Sequence, residues 1–426
     1  MPSDFATLLR AFAGVLVRVG LNLQRGQRLL ITEPYELQGV ARSAEIIVAA
    51  VRAAAREAGC PHPAGVEVIW GDGPRLREIA LNKDWRSFVQ LVDGHARKMQ
   101  AYLQNHDALL FLQGSQPGLM VGVPAGHVAE LRRLGWEYFG PIARQLVAGA
   151  TNWTVAPAPS PAWAHAVFAD LPSEKRLAAL WEAVFGAMRI PRWNATSGRA
   201  RENPPGGRVS PQDSALAAWH THLLALQNHR DHLNTRRMKT LRYVGAGTDL
   251  TVALPPEHRW CTAQLATESG LAFVANLPTE EVFTLPHRDS AEGIARVSRP
   301  VSYGGAVIDG IELEFRRGRV VRAQARQGET LLTRLLETDD GACRLGEVAL
   351  VGGDPERDGS RRKVAPKDWN GGRLFQHPLL DENATNHIAL GEAYPFCLQA
   401  PNPAACNRSL IHVDLPLDAG LMVEPT

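Results

Sequence analysis

Residues 306–315 read Ala306-Val307-Ile308-Asp309-Gly310-Ile311-Glu312-Leu313-Glu314-Phe315. Apolar and polar side chains alternate with period two, the pattern of a strand with one face in a core and the other polar. The neighbouring runs at 241–244, 250–254, 272–275 and 319–325 are also β-type and are separated by Gly, Asp or Pro. The spacing predicts an α+β, largely antiparallel β-rich domain over residues 238–426.

Upstream the texture changes. Residues 5–19 carry helical apolar spacing, 28–32 form a short apolar run, 41–58 form an alanine-rich helix closed by Gly59-Cys60-Pro61, and 66–70 and 108–112 are again strand-like. Helix alternating with short buried strand predicts an α/β domain, with helices around a sheet, over residues 1–237. The stretch 151–161, TNWTVAPAPSP, begins as a strand and then reads as a Pro/Ala linker. Residues 197–211 contain almost nothing to bury and read as a surface loop. The helix predicted at 215–237 holds Trp219, His220, His222, His229 and His232. No acidic residue sits at the offset a His-Glu-x-x-His motif requires, so these histidines are assigned to a polar helix face.

Composition narrows the function classes. With 46 basic and 44 acidic residues among 426, the net charge of +2 leaves no electrostatic footprint for nucleic acid or an anionic membrane. No run approaches the ~20 apolar residues of a membrane-spanning helix, and the N-terminus, interrupted by Arg10 and Arg18, reads as an amphipathic helix rather than a signal peptide. Cys60, Cys261, Cys343, Cys397 and Cys406 are scattered and form no Cys-x-x-Cys pair. That usage predicts a reducing, cytoplasmic setting and argues against a thiolate zinc site.

The metal-capable side chains concentrate in four segments of the C-terminal half. Asn276 to Thr284 carries the adjacent Glu280 and Glu281; on an extended chain neighbours point to opposite faces, so one of the two faces any given site. Leu345-Gly346-Glu347 adds a carboxylate, and 380–394 packs Asp381, Glu382, His387 and Tyr394 into one short polar stretch. In Ile411-His412-Val413-Asp414-Leu415, His412 and Asp414 stand at i and i+2 and so project to one face of a strand. Imidazole and carboxylate form a ligand set suited to zinc, cobalt, manganese or iron rather than calcium. Glu281 (or Glu280), Glu347, Glu382, His387, His412 and Asp414 supply enough ligands for two divalent ions. A bridging water between such ions attacks a polarised carbonyl. A nearby carboxylate carries its proton, and Tyr394 is a donor for the oxyanion.

The ordered series PTEEVF (278–283), LGE (345–347), DENxxxHIALGxAY (381–394) and HxD (412–414) resembles the aminopeptidase T and aminopeptidase S family of metallopeptidases. Residues 20–27, Trp163-Ala164 and 247–250 extend the likeness over essentially the whole chain. The resemblance implies a two-domain homodimer that removes N-terminal residues with two divalent ions (zinc, cobalt, manganese or magnesium), from a peptide or small amide with a free amino terminus. It also implies Glu281, Glu347, His387, His412 and Asp414 as ligands, Glu382 as a sixth, Tyr394 in the active site, and either Glu347 or Glu382 as general base. Two segments depart from the family pattern: 352–376 is longer and more basic, and the stretch from Tyr394 to His412 is proline-rich. Both 352–376 and 395–406 are attached to ligand-bearing motifs and are expected to border the substrate entrance. Arg357, Arg361, Arg362, Lys363 and Lys367 would there attract a substrate carboxylate. Two other readings compete: a mononuclear iron ring-cleaving dioxygenase on the same fold, and a peptide- or metal-binding homologue without turnover.

Overall fold

The computed structural model describes residues 4–61, 65–114, 116, 118–191, 193–194, 199–200, 210–245, 247–303, 306–352, 373–417 and 422–425. Its N-terminal part is built on a parallel four-stranded sheet in the order Val66–Val68, Leu29–Thr32, Ala108–Gln113, Trp153–Pro157. Leu29–Thr32 and Ala108–Gln113 are buried at every position. Both faces are covered, which is why these strands read as continuous apolar runs. Leu29, Ile31, Leu110 and Leu112 face the helices Phe5–Val15 and Glu45–Glu57, whereas Leu30, Leu109 and Phe111 face Met99, Tyr102 and Phe139.

The stretch 151–161 begins as a strand, as expected, but the linker expected after it is instead a helix. Trp153–Pro157 pairs in parallel with Ala108–Gln113, and the Ser160 hydroxyl caps the helix Pro161–Val167 by accepting the Trp163 amide at 3.1 Å. Proline at the first helical position starts a helix rather than a linker. The edge of the sheet is then completed from the other half of the chain. Val155 N donates to Ala275 O at 2.7 Å, and Leu277 N donates to Val155 O at 2.9 Å. This pairing delivers residues 278–284 to the seam between the halves.

Beyond the helix Pro211–Arg236 the fold is antiparallel, as expected. One sheet of six strands runs in the order Arg319–Gln324, Glu312–Arg316, Glu292–Arg296, Thr248–Ala253, Thr240–Gly245, Met422–Pro425. A second, of four, runs Glu281–Thr284, Leu345–Val351, His387–Gly391, His412–Pro416. They enclose a core that includes Leu241, Tyr243, Leu313 and Phe315 from the first and Val348, Ile388 and Val413 from the second. The run at 306–315 is two strands rather than one: Gly310, at φ +65°, separates Ala306–Ile308 from Glu312–Arg316. Most of 197–211 and all of 353–372, with Arg357, Arg361, Arg362, Lys363 and Lys367, lie outside the described residues.

Two buried histidines give the fold a pH dependence. His95 lies against the Thr32 hydroxyl, and His377 stacks on Trp163 at 4.8 Å with its Nε2 donating to Gln113 O at 3.0 Å. Burial pushes each ring down to about 4. Between pH 6.5 and 4 the unfolded chain therefore binds protons that the folded chain refuses, so stability from these groups is complete above 6.5 and falls as pH drops. Each contributes up to roughly 3 kcal/mol at ~1.4 kcal/mol per pH unit. Urea midpoints of the wild type should decline more steeply from pH 6.5 to 4.5 than those of a His95→Gln, His377→Gln protein; parallel declines would remove the assignment.

Candidate metal centre

The four-stranded sheet sends alternate side chains to opposite sides. Val282, Val348, Ile388, Leu390, Val413 and Leu415 enter the core, and Glu281, Glu347, His387, His412 and Asp414 emerge into a cavity of about 220 Å³ on the other face. Small residues make the room: Ala349 stands opposite His387, Ala389 lies between Glu347 and Asp414, and Gly391 stands opposite His412. Glu382, on the short helical turn Glu382–Ala384, enters the same cavity.

Glu347 reaches the cavity through a bulge. Leu345 pairs with Leu390 and Glu347 with Ala389, so Gly346 is an extra residue in its strand. Strict alternation would put residues 345 and 347 on one face; the bulge turns Leu345 to the core and Glu347 to the cavity. A Cβ at position 346 would sit 2.4 Å from the carbonyl oxygens of both Gly391 and Glu392.

Of the adjacent glutamates, only Glu281 lines the cavity. Glu280 is drawn away by Arg189 at 2.7 Å, with His222 Nε2 3.5 Å away. His222 also donates to Thr279 O at 2.8 Å, so this member of the histidine-rich helix is a structural anchor for the 278–284 segment.

Glu281, Glu347 and His387 offer ligand atoms that all lie within 4.8 Å of one another, and so do Glu347, His412 and Asp414. His387 Nε2 is 2.9 Å from Glu281 Oε2 and 3.6 Å from Glu347 Oε1; His412 Nε2 is 3.8 Å from Glu347 Oε2 and 3.5 Å from Asp414 Oδ1. Both rings are held from behind, His387 Nδ1 by Thr385 O at 3.2 Å and His412 Nδ1 by Glu392 O at 2.7 Å, which leaves Nε2 as the outward nitrogen. Glu281 Oε2 is buried, and the His387 ring 2.9 Å away is not aligned to donate a regular hydrogen bond to it. Hard oxygen and borderline nitrogen donors gathered within 4.8 Å of one another fit divalent cations.

The electrostatics point the same way. Burial raises the Glu347 carboxyl to about 7, with the Glu281 charge adding to the shift and His387 opposing it. Glu382 is also pushed well up, by burial and by the charge of Asp414. Burial alone would depress both imidazoles, but contact with Glu281 and Glu347 holds His387 well above its ordinary value, and Asp414 lifts His412 to about 9. Protons here fill the role of a cation among crowded carboxylates. Burial, with the charges of Glu347 and Asp414, pushes the Tyr394 phenol well up and keeps it a donor; its ring packs 4.8 Å from His412 and stacks 5.3 Å from Phe396.

The N-terminal half closes the site with residues that the sequence reading missed. Tyr35, Gln113, Trp153 and Val155 line the cavity, and Tyr35, Arg132, Trp136 and Phe139 wall an adjoining cleft of about 540 Å³. Tyr35 and Gln113 stand at or just past the carboxyl ends of parallel strands, where open α/β sheets place their ligands. That position was the available signal. Glu33 fixes Tyr35 by accepting the amides of residues 35, 36 and 37. Pro395 and Phe396, at the start of the proline-rich segment, line the cleft.

The profile of the thermophilic metalloprotease family (M29) matches residues 5–198 and 207–423. Aminopeptidase T of Thermus thermophilus is 36% identical over 96% of this chain and 92% of its own, and aminopeptidase AmpS of Bacillus subtilis is 32% identical over the same shares. The solved structure of wild-type AmpT from Thermus thermophilus superposes with a TM-score of 0.78 at 34% identity, covering 97% of this chain and 93% of that one. With the motifs, the fold and these relatives in agreement over nearly its whole length, the chain belongs to the M29 family of thermophilic metalloproteases.

Proposed function

We propose that Glu281, Glu347, His387, His412 and Asp414, with Glu382 beside them, hold two divalent ions with which the protein removes the N-terminal residue of peptides. The chain is a metallo-aminopeptidase, and its family uses divalent metal. The observation that carries the two-ion reading is the sharing of Glu347 between two separate groups of three donors. A mononuclear oxygenase site has no use for a carboxylate common to two such groups.

When bound, the ions supply a water that ionises near neutral pH and an electrophile for the scissile carbonyl. The chain's own residues do the rest. Glu347, with one oxygen toward each group, would serve both ions. Of the two candidate bases this leaves Glu382, whose carboxyl can take a proton and return it to the departing amine. The Tyr394 hydroxyl, protonated and beside His412, donates to the oxyanion. Tyr35, Trp153 and Phe396 line the cavity beside these groups.

The finer points of this reading are zinc, cobalt, manganese or magnesium as the ions, a homodimer, a cytoplasmic location, and a division at 237/238 between an N-terminal α/β domain and the metal-binding domain. The five cysteines are all free, in keeping with a reducing compartment. Among the described residues no helix is long and apolar enough to cross a membrane.

Protein stripped by chelation and resupplied with cobalt, zinc or manganese should release free amino acid from unblocked peptides and leave the N-acetylated forms intact. Equal cleavage of both would remove the exopeptidase reading, and failure to cleave either would favour a binding protein.

A further inference from the structure

The 220 Å³ cavity that holds the ligand set and the adjoining 540 Å³ cleft share a rim, which among the described residues consists of Tyr35, Val147, Trp153, Tyr394, Phe396 and His412. Most of its side-chain donors are already engaged. Trp153 Nε1 donates to Leu146 O at 3.2 Å, His412 Nδ1 faces Glu392 O at 2.7 Å while its Nε2 belongs to the ligand set, and Tyr394 is assigned to the oxyanion. The Tyr35 hydroxyl is the donor that remains. This residue comes from the N-terminal half and is held firmly: its amide donates to Glu33, its carbonyl accepts from Arg132, and its ring packs edge-on at 6.2 Å from Phe111 and 5.3 Å from Phe139. Burial pushes the phenol well up, so it keeps its proton, and it lies near enough to Tyr394 to add to that phenol's own upward shift.

With the scissile amide at the metals, the rest of a peptide has to leave the small cavity, and the larger cleft is the adjoining space that can take it. The chain therefore crosses the rim. Its next carbonyl comes one residue beyond the scissile bond, a step of about 3.8 Å between α-carbons, and there the walls of Trp153 and Phe396 replace its water. A carbonyl that gives up water without gaining a donor is penalised. We propose that the Tyr35 hydroxyl donates to this carbonyl, the one belonging to the second residue of the substrate, and that the protein thereby favours true peptides over simple amides of a single amino acid. The proposal rests on the aminopeptidase reading above and adds the substrate class. It also gives the N-terminal half a part in recognition: Tyr35 and His412 each line the cavity, the cleft and a third, smaller pocket beside Asp414 and Glu382.

Tyr35→Phe removes the hydroxyl and keeps the ring, so the packing on Phe111 and Phe139 should survive. Metal-loaded wild type and variant would be assayed on L-leucylglycinamide, which carries the second carbonyl, and on L-leucine 4-nitroanilide, which does not. The variant should lose roughly tenfold in kcat/KM on the peptide and stay within about twofold of wild type on the anilide, the scale of one neutral hydrogen bond. Its urea midpoint and metal content should not move. Tyr394→Phe, by contrast, should slow both substrates, because the oxyanion is common to them. Equal losses on the two substrates in Tyr35→Phe, or no loss on either, would overturn the contact while leaving the aminopeptidase in place. Wild type that hydrolyses neither substrate removes the aminopeptidase reading, and the contact falls with it.

Discussion

Glu347→Gln is expected to lower kcat/KM for peptide hydrolysis by roughly a thousandfold or more, the scale on which enzymes depend on their metals' charge stabilisation. Glu347 is the donor common to both groups, at 3.6 Å from His387 Nε2 through one oxygen and 3.8 Å from His412 Nε2 through the other. Glutamine keeps the shape but has a single weaker oxygen donor, so at least one ion per chain should be lost as well. The metal-free variant should meanwhile be no less stable than metal-free wild type, because one of four mutually repelling buried carboxylates has gone. Activity and stability moving in different directions separates a lost bridge from a misfolded chain. Retention of a tenth of the activity with unchanged metal content would show that Glu347 is not shared.

Gly346→Ala should have the largest effect on the fold for the smallest chemical change. Its Cβ would stand 2.4 Å from two carbonyl oxygens, Gly391 O and Glu392 O, both fixed in backbone. Neither can swing aside as a flexible side chain would, so the strands must part or the bulge must vanish. A loss of about 3 kcal/mol or more is expected in urea unfolding, at the upper end for overpacking. Losing the bulge also rotates Glu347 toward the core, so metal content should drop with stability. Gly186→Ala is the control: it lies within the helix Ser173–Ala187 with open space around it, and should be neutral or gain about 0.5–1 kcal/mol. Similar behaviour of the two variants would mean that the close approach at Gly346 does not matter.

The fold class was legible because the two halves have different periods: near-continuous apolar runs where both faces of a sheet are covered, and alternation where one face is polar. The polar cluster was legible because Glu281, Glu347, Glu382, His387, His412 and Asp414 fall in short stretches with little apolar filler, and the structure brings all six to one cavity. Period two could not foresee Gly346, since a bulge is the one device that breaks the period, nor could it choose between Glu280 and Glu281. That choice is made by Arg189 and His222, far away in sequence. The Pro/Ala stretch after Trp153 misled because proline opens a helix as readily as it marks a linker. The aromatic wall of Tyr35, Trp136 and Phe139 was invisible because its residues are ordinary core types until the two halves meet.

The most direct test of a dinuclear site shared through Glu347 is the metal content of protein purified without added ions, measured by inductively coupled plasma mass spectrometry against protein concentration. The expected result is two divalent ions per chain, both lost on chelation together with amine release from unblocked peptides. A single iron per chain, with no second ion taken up on addition of zinc, cobalt or manganese, would contradict it.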